Sequence, residues 1–305
     1  MLQRLLHRGS DACFRSLTGL ARDEFAALLP AFTQAYDAAL AAEQARAARR
    51  RRPGGGRKGQ VPRAAEKLLF ILVYVKQYPV QELQGALFGL GQSQASAWVL
   101  RLLPVLQAAL GRELVLPARR SATLDDLLAA CPDLVFLLDA TERPIPRPQD
   151  PDRQTACYSG KKKRHTLKNT IVTDRTGRKI VFLGDTTAGS RHDKRLAEED
   201  APPFPPGSRV PSDSGYQGYT VDGVSVITPL KKPRGGALRA DEQAANTQLS
   251  RHRIPVEQAI GGMKIARIVR DPFRNHADGL SDTVILVAAG LYNYKCDRRD
   301  TLAAN

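Results

Sequence analysis

Three carboxylates are the residues of this chain whose positions suggest chemistry. Asp139 follows the apolar run Leu134–Leu138 and Asp213 follows the short segment Arg209–Pro211, so both lie just beyond the ends of predicted strands, and Glu257 lies in a later helical segment. Open α/β sheets place their sites at such strand ends. Oxygen ligands without a Cys or His cluster suit Mg²⁺ or Mn²⁺ better than zinc. Two such ions, about 3.5–4 Å apart, would support phosphoryl transfer on a phosphodiester.

Taken singly, an Asp at a strand end more often forms a turn or caps a helix than it binds a metal. Spacing alone does not bring these three carboxylates together. In the later helical segment, Arg253, Glu257, Gly261 and Lys264 recur at intervals of four, four and three residues, which places them on one face of a continuous helix. On spacing alone, a charged, solvated helix face explains such a pattern.

The elements that must position these residues follow from a change of periodicity after Pro132. The predicted order is a strand at Leu134–Leu138, strands at Thr166–Thr173 and Lys179–Leu183 around a polar turn, a short helix near Asp193–Glu199, strands near Arg209–Pro211 and Val224–Thr228, and a long helical region from Asp241 to Arg267. This order predicts an α/β or α+β domain with a mixed sheet.

The region before this domain is predicted to be all-α and to bind DNA. Helical periodicity runs from Ala64 to Leu110, with a second helix from about Pro79 to Phe88, a turn at Gly89-Leu90-Gly91 and a third helix from about Ser93. This is a helix-turn-helix layout. Polar side chains off the apolar face of the third helix suit major-groove readout: Gln92, Gln94, Ser96 and Arg101. Spacing alone leaves a plain helical bundle open.

Charge supports a nucleic-acid partner. The chain has 46 Lys and Arg against 31 Asp and Glu, a formal net charge of +15, which favours polyanions through counterion release. The segment Arg46–Lys58 contains seven basic residues, no acidic residue and Pro53-Gly54-Gly55-Gly56, which indicates a flexible cationic linker. Both it and the second basic run, made up of Lys161, Lys162, Lys163 and Arg164, are interpreted either as contacts to DNA phosphates or as solubilising loops.

Other classes of protein are disfavoured. Four cysteines have no short paired spacing, which argues against zinc sites and a secreted disulfide framework. No run of about 18 apolar residues is present to span a membrane, and the N-terminus lacks a signal-peptide core. We expect a cytoplasmic, nucleoid-associated protein without a membrane partner.

Four segments together carry a family resemblance. They are Asp139-Ala140-Thr141-Glu142, Gly189-Ser190-Arg191-His192-Asp193, Asp213-Ser214-Gly215-Tyr216, and Arg253-Ile254-Pro255-Val256-Glu257 with Lys264. In order and spacing they resemble the DDE transposases of the fifth insertion-sequence family and their Harbinger-like relatives, over roughly Leu17 to Lys295. The resemblance implies an RNase H-like fold, with Asp139, Asp213 and Glu257 as catalytic metal ligands. Arg253 and Lys264 match the family's Arg and Lys, so the resemblance implies that their helical face presents the metal ligand Glu257 between two phosphate-binding cations.

This chain departs from the family pattern at Ser250, where the family has Tyr. Pro255 would break a helix interior, so the Glu257 helix either starts there or is kinked. His192-Asp193 resembles a recurring family motif, yet a helix start at Asp193 explains the pair equally well.

The resemblance implies a transposase that binds terminal inverted repeats and catalyses DNA strand cleavage and strand transfer with Mg²⁺ or Mn²⁺, through two ions. Its partners would be double-stranded DNA, as element ends and target, and further copies of itself in a homodimer or higher oligomer on DNA. The predicted domains are residues 1–48 (helical), 49–63 (linker), 64–125 (helix-turn-helix) and 130–296 (RNase H-like catalytic). A domesticated DNA-binding or regulatory protein and a stand-alone RNase H-like DNA endonuclease are the alternatives.

Overall fold

The computed structural model describes residues 10–46, 60–119, 131, 133–275 and 277–304. Most of the predicted basic linker therefore lies outside the described residues, as do the two ends of the chain and residues 120–125 of the predicted helix-turn-helix domain. The described chain divides into two compact units: Met1–Leu116 with Lys264–Asp271 and Asp278–Asn305, and Pro117–Met263 with Pro272–Ala277.

The first unit is helical. Its helices are α1 (Asp11–Thr18), α2 (Arg22–Arg46), α3 (Ala64–Gln77), α4 (Gln81–Phe88) and α5 (Gln92–Arg112), and near the C-terminus α9 (Arg267–Arg270) and α10 (Leu280–Ala304). The centre of this unit is α3, which is buried from Glu66 to Val75, as its nearly continuous apolar sequence predicts.

Helices α4 and α5 form the predicted helix-turn-helix. Helix α4 begins at Gln81, two residues later than the predicted Pro79, because Val80 is still extended and serves as the N-cap residue. It ends at Gly89, which adopts the left-handed conformation with φ +69°. Helix α5 then buries Val99, Leu102 and Leu106, three of the apolar positions that predicted it.

The end of the chain belongs to this helical unit. Helix α10 packs against α5, and the Asn293 side chain donates a buried hydrogen bond of 2.9 Å to the carbonyl oxygen of Val115. The apolar run Val284–Leu291 of this helix does not reveal which unit it covers. All of the predicted domain boundaries, including 130–296 for the catalytic domain, stay predictions.

The second unit is built on a sheet. Its elements are β1 (Phe136–Pro144), α6 (Pro151–Cys157), β2 (Tyr158–Ser159), β3 (Arg164–Asp174), β4 (Ile180–Leu183), β5 (Thr187–Ala188), α7 (Asp193–Asp200), β6 (Arg209–Pro211), a 3₁₀ turn (Ser214–Tyr216), β7 (Ser225–Ile227) and α8 (Ala240–Met263). Strand β3 pairs antiparallel with both β1 and β4, and β6 pairs parallel with β7. A parallel bridge between Val135 and Arg209 joins the start of β1 to β6. The resulting order β4-β3-β1-β6-β7 is that of the RNase H-like fold, which confirms the predicted fold class.

Strand β1 is longer than its apolar run predicts, and Asp139 lies inside it rather than beyond its end. The strand continues through Thr141 and Arg143, both of which are buried. Arg143 is accommodated because its guanidinium donates hydrogen bonds of 3.0 Å to Asn169 and to Thr186. A strand whose buried half is polar does not show the apolar pattern from which strands are predicted.

Helix α8 runs through Pro255 without interruption from Ala240 to Met263, so the interpretation that the Glu257 helix starts at Pro255 is wrong. The helix ends before Lys264, shortly after Gly261 and Gly262, whose helix propensity is low. Lys264 is the first residue after the helix, so the helix itself contains Arg253, Glu257 and Gly261 of the predicted face, and the place of Lys264 on that face stays a prediction. Lys264 also belongs to the other compact unit.

Candidate active site

Asp139 lies within β1, and Asp213 follows the end of the neighbouring strand β6. Val135 and Arg209 form a parallel bridge, and Asp139 and Asp213 follow these two residues by four positions each. Neighbouring strands lie about 4.8 Å apart, so equal steps along both chains bring the two carboxylates close together. Strand β6 ends at Pro211, so the chain that carries Asp213 leaves the sheet beside Asp139. The sheet therefore brings together the two carboxylates that the sequence predicts at its edge.

Local hydrogen bonds fix one oxygen of each carboxylate. The Ala140 N–H donates to Asp139 Oδ1 at 2.7 Å. The Gly215 N–H donates to Asp213 Oδ1, also at 2.7 Å, so that Asp213 caps the 3₁₀ turn that follows it. Each carboxylate keeps a second oxygen that these backbone bonds do not use.

Arg253 reaches this site from α8, which packs against β1. Its guanidinium Nη2 lies 3.5 Å from Asp139 Oδ2, and its side chain is only 11% exposed. The guanidinium Nε is buried, and no described residue hydrogen-bonds it. A buried cation that is only partly satisfied is suited to receive an anionic group.

Burial raises the pKa of Asp139 to about 6. The Ala140 N–H and the Arg253 guanidinium oppose this increase, while the negative charges of Asp213 and Asp193 add to it. Like charges that accumulate in a desolvated site favour a bound cation. The donor set is made of carboxylate oxygens, which is the kind that Mg²⁺ and Mn²⁺ prefer.

Glu257, the third predicted ligand, is exposed on α8, one helical turn from Arg253. It forms no hydrogen bond or ion pair with another described residue. Within the described ranges, no three His, Cys, Asp or Glu side chains stand close enough to hold an ion together. The roles of Glu257 and Lys264 therefore stay predictions.

Asp193 is the second residue of the uncertain pair His192-Asp193, and its carboxylate faces the site. His192 is the N-cap residue of α7 but makes no side-chain capping bond; it is exposed and lines an open cavity of about 540 Å³ together with Lys194 and Lys231. Asp193 instead accepts a hydrogen bond of 3.0 Å from Lys168 Nζ.

Two functional candidates were missed by sequence reasoning. Lys168 is buried in β3 and also lies 3.5 Å from Glu142 Oε1. Tyr216 is fully buried, and no described group hydrogen-bonds its hydroxyl; burial, together with the charges of Asp139, Asp193 and Asp213, raises its pKa well above the ordinary value. Lys168 stands among polar residues of β3, next to Asn169 and Thr170, so no local pattern signals its burial, and Tyr216 carries no such signal either.

The four predicted base-reading residues differ in their surroundings. Gln92 is exposed at the start of α5 and donates to Gln81 at 2.9 Å. The amide oxygen of Gln94 accepts from the Gly91 N–H and so caps α5. Ser96 is half-buried.

Arg101 is engaged within the protein. It pairs with Glu43 at 2.5 Å, and its guanidinium lies 5.6 Å from the ring centroids of both Tyr36 and Trp98. Arg101 would have to give up its contacts with Glu43, Tyr36 and Trp98 to make its predicted contact with DNA.

The basic run from Lys161 to Arg164 is exposed and forms the connection from β2 into the start of β3. This agrees with its predicted place on a loop beside the first strands. Whether it contacts DNA stays a prediction.

No helix within the described ranges is long and apolar enough to cross a membrane. All four cysteines are free thiols, as their spacing predicts.

Comparison with known proteins yields two family models and two similar relatives. Residues 138–293 match the DDE superfamily endonuclease model, and residues 63–112 match the helix-turn-helix of DDE superfamily endonuclease. The chain is 31% identical over 232 residues to a probable transposase for insertion sequence element IS702 from Microchaete diplosiphon, covering 75% of this chain and 80% of the relative. It is 25% identical over 235 residues to a putative transposase for insertion sequence element IS112 from Streptomyces albus G, covering 76% and 80%. No solved structure matches the chain.

Proposed function

Because this chain belongs to the DDE superfamily endonucleases and is a transposase of an insertion sequence, we propose that Asp139 and Asp213 bind the divalent metal ions that its DNA cleavage uses. The observation that carries the proposal is that Asp139 in β1 and Asp213 just after β6 each lie four residues beyond a partner of the bridge that joins these strands. We assign the metal as Mg²⁺ or Mn²⁺, with two ions in the working site.

Bound ions would lower the pKa of the attacking water and stabilise charge on the leaving oxygen. Asp139 and Asp213 would hold them, and the buried guanidinium of Arg253 would bind a phosphate oxygen beside Asp139. Glu257 would be the third ligand, reaching the ions from α8. Its exposed position one turn from Arg253 leaves its side chain free to make that movement.

The reaction has two steps of the same chemical kind. Water first hydrolyses a phosphodiester at the end of the element, and the 3′-OH that is released then attacks a phosphodiester of the target in a transesterification. One carboxylate site serves both steps because each is an in-line displacement at phosphorus.

The helix-turn-helix formed by α4 and α5 recognises the terminal inverted repeats. Exposed Gln92 and Gln94 lie at the N-terminal end of α5, where recognition helices contact bases. An element has two ends, and this chain matches a single helix-turn-helix model. Strand transfer of both ends would therefore use at least two copies of the chain.

The test combines purified full-length protein, Mg²⁺ or Mn²⁺ and DNA that carries the element's own ends. We expect 3′-OH ends and joined products with the wild type, and neither with Asp139→Asn, Asp213→Asn or Glu257→Gln. Asp222→Asn is the matched control because Asp222 is an exposed carboxylate of the same unit.

Cleavage that survives in Asp139→Asn or Asp213→Asn would overturn the site assignment. Cleavage without joining and without end specificity would indicate a stand-alone nuclease. Specific binding to the ends without cleavage would indicate a regulatory protein.

A further inference from the structure

The segment Gly189–Asp193 has no role in the function proposed so far, yet it is clamped to the sheet. The Gly189 N–H donates to the Thr166 carbonyl at 2.9 Å. A Cβ at Gly189 would lie 1.9 Å from Thr166 Oγ1, so only glycine permits this approach to β3. The same Thr166 hydroxyl donates to Glu142 Oε2 at 2.9 Å.

Lys168 ties this segment to the site. Its ammonium donates to the Arg191 carbonyl at 2.8 Å and to Asp193 Oδ1 at 3.0 Å, and it lies 3.5 Å from Glu142 Oε1. An ammonium has three N–H groups, so these three oxygens account for all of them. The side chains of Lys168 and Glu142 are 8% and 7% exposed.

One oxygen of Asp193 is left over from this pair, and it faces Asp213. A Cβ built on Gly215 would lie 2.9 Å from Asp193 Oδ2 and 2.9 Å from Asp213 Oδ1. The two oxygens are therefore no further apart than twice that distance. No described donor hydrogen-bonds Asp193 Oδ2, although the side chain is only 17% exposed.

Two carboxylates that approach each other in a partly buried site repel one another unless a cation lies between or beside them. Lys168 offsets part of this charge but points to the far oxygen of Asp193, and it is shared with Glu142. Asp139 has Arg253 at 3.5 Å, whereas neither the near oxygen of Asp193 nor Asp213 forms an ion pair with another described residue.

We propose that Asp193 is a further carboxylate of the divalent-cation site, held beside Asp213 by its ion pair with Lys168. This inference rests on the proposed function of Asp139 and Asp213 and extends it. Because the described carboxylates do not converge closely enough to hold an ion directly, Asp193 acts through the water shell that Mg²⁺ and Mn²⁺ retain.

Mn²⁺ binding to the full-length, DNA-free protein tests the proposal without depending on activity. Isothermal titration would compare the wild type with Asp193→Asn, Asp139→Asn, Asp213→Asn and the control Asp222→Asn. Asn has the shape of Asp and still accepts from Lys168, so Asp193→Asn isolates the charge. We expect it to weaken Mn²⁺ binding at least about tenfold; thermal unfolding is measured beside it, because the variant also weakens the ion pair with Lys168.

Asp193→Glu retains the charge next to Lys168 and is expected to restore affinity to within about threefold of the wild type. It is also the deciding variant if Asp193→Asn does not fold. Wild-type affinity in folded Asp193→Asn, or a loss in Asp193→Glu as large as that in Asp213→Asn, would overturn the role of Asp193. A wild type that binds no Mn²⁺, or Asp139→Asn and Asp213→Asn variants that bind it normally, would instead overturn the proposed function.

Discussion

The substitution Asp139→Asn is expected to stabilise the metal-free protein while it removes a proposed metal ligand. Burial raises the pKa of Asp139 to about 6 in the folded protein, against about 3.9 in an unfolded chain. A carboxyl group whose folded pKa is raised binds its proton more tightly when folded. Its ionisation therefore lowers the free energy of unfolding as the pH rises between about 4 and 6.

The size of the effect follows from the shift. About two pKa units at 1.36 kcal/mol each give an upper limit of about 3 kcal/mol. Asn retains the acceptor for the Ala140 N–H but loses the ionic attraction of Arg253, which lies 3.5 Å away. We therefore expect a gain of about 1–3 kcal/mol at pH 7.5, or about 2–4 °C in Tm for each kcal/mol in a unit of this size.

Thermal or urea unfolding in EDTA, from pH 4 to pH 8, measures this gain. The wild type and Asp139→Asn should coincide near pH 4 and diverge up to about pH 6.5, with a constant difference above that pH. A variant that is less stable than the wild type at pH 7.5, or a difference that does not vary with pH, would refute the electrostatic reasoning about this site.

Three further outcomes are expected. Gly215→Ala should abolish Mn²⁺ binding and lower stability, since its Cβ would lie 2.9 Å from Asp213 Oδ1; normal Mn²⁺ affinity in titration would contradict this. Lys168→Met should lower the free energy of unfolding by about 3–5 kcal/mol, because it leaves the largely buried carboxylates of Glu142 and Asp193 without their cation. Urea unfolding at pH 7.5 measures the change. A loss below about 1 kcal/mol would refute the stabilising role of these ion pairs. Lys161→Ala with Lys162→Ala should reduce the slope of log affinity for DNA against log salt by about 2 if both contact phosphates, and an unchanged slope would indicate a solubilising loop.

The sequence predicts the order of the elements because apolar runs and periodicity determine it, but it does not predict where β1 ends. The strand continues past Asp139 through Arg143, whose burial depends on hydrogen bonds to residues that are distant in sequence. Such satisfaction of a buried polar group is a tertiary property. No local pattern of residues records it.

The same limit applies to the site. Asp139 and Asp213 could be predicted because both follow strand-like segments, and the fold places these two segments side by side. The Lys168–Asp193 ion pair joins residues 25 positions apart. In the sequence, Lys168 is only a Lys within a predicted strand and Asp193 only the start of a predicted helix, so their contact could not be predicted. The predicted face that joins Glu257 to Lys264 extends one residue beyond the helix, because helix periodicity does not state where a helix stops.

Single-turnover cleavage of element-end DNA tests the central claim most directly, with wild type and Asp139→Asn compared at DNA concentrations where both are saturated. The metal ions supply several kcal/mol of transition-state stabilisation, so the account predicts that Asp139→Asn lowers the Mg²⁺-dependent rate at least about a hundredfold while DNA affinity is retained. A cleavage rate for Asp139→Asn close to that of the wild type, at equal occupancy, would contradict it.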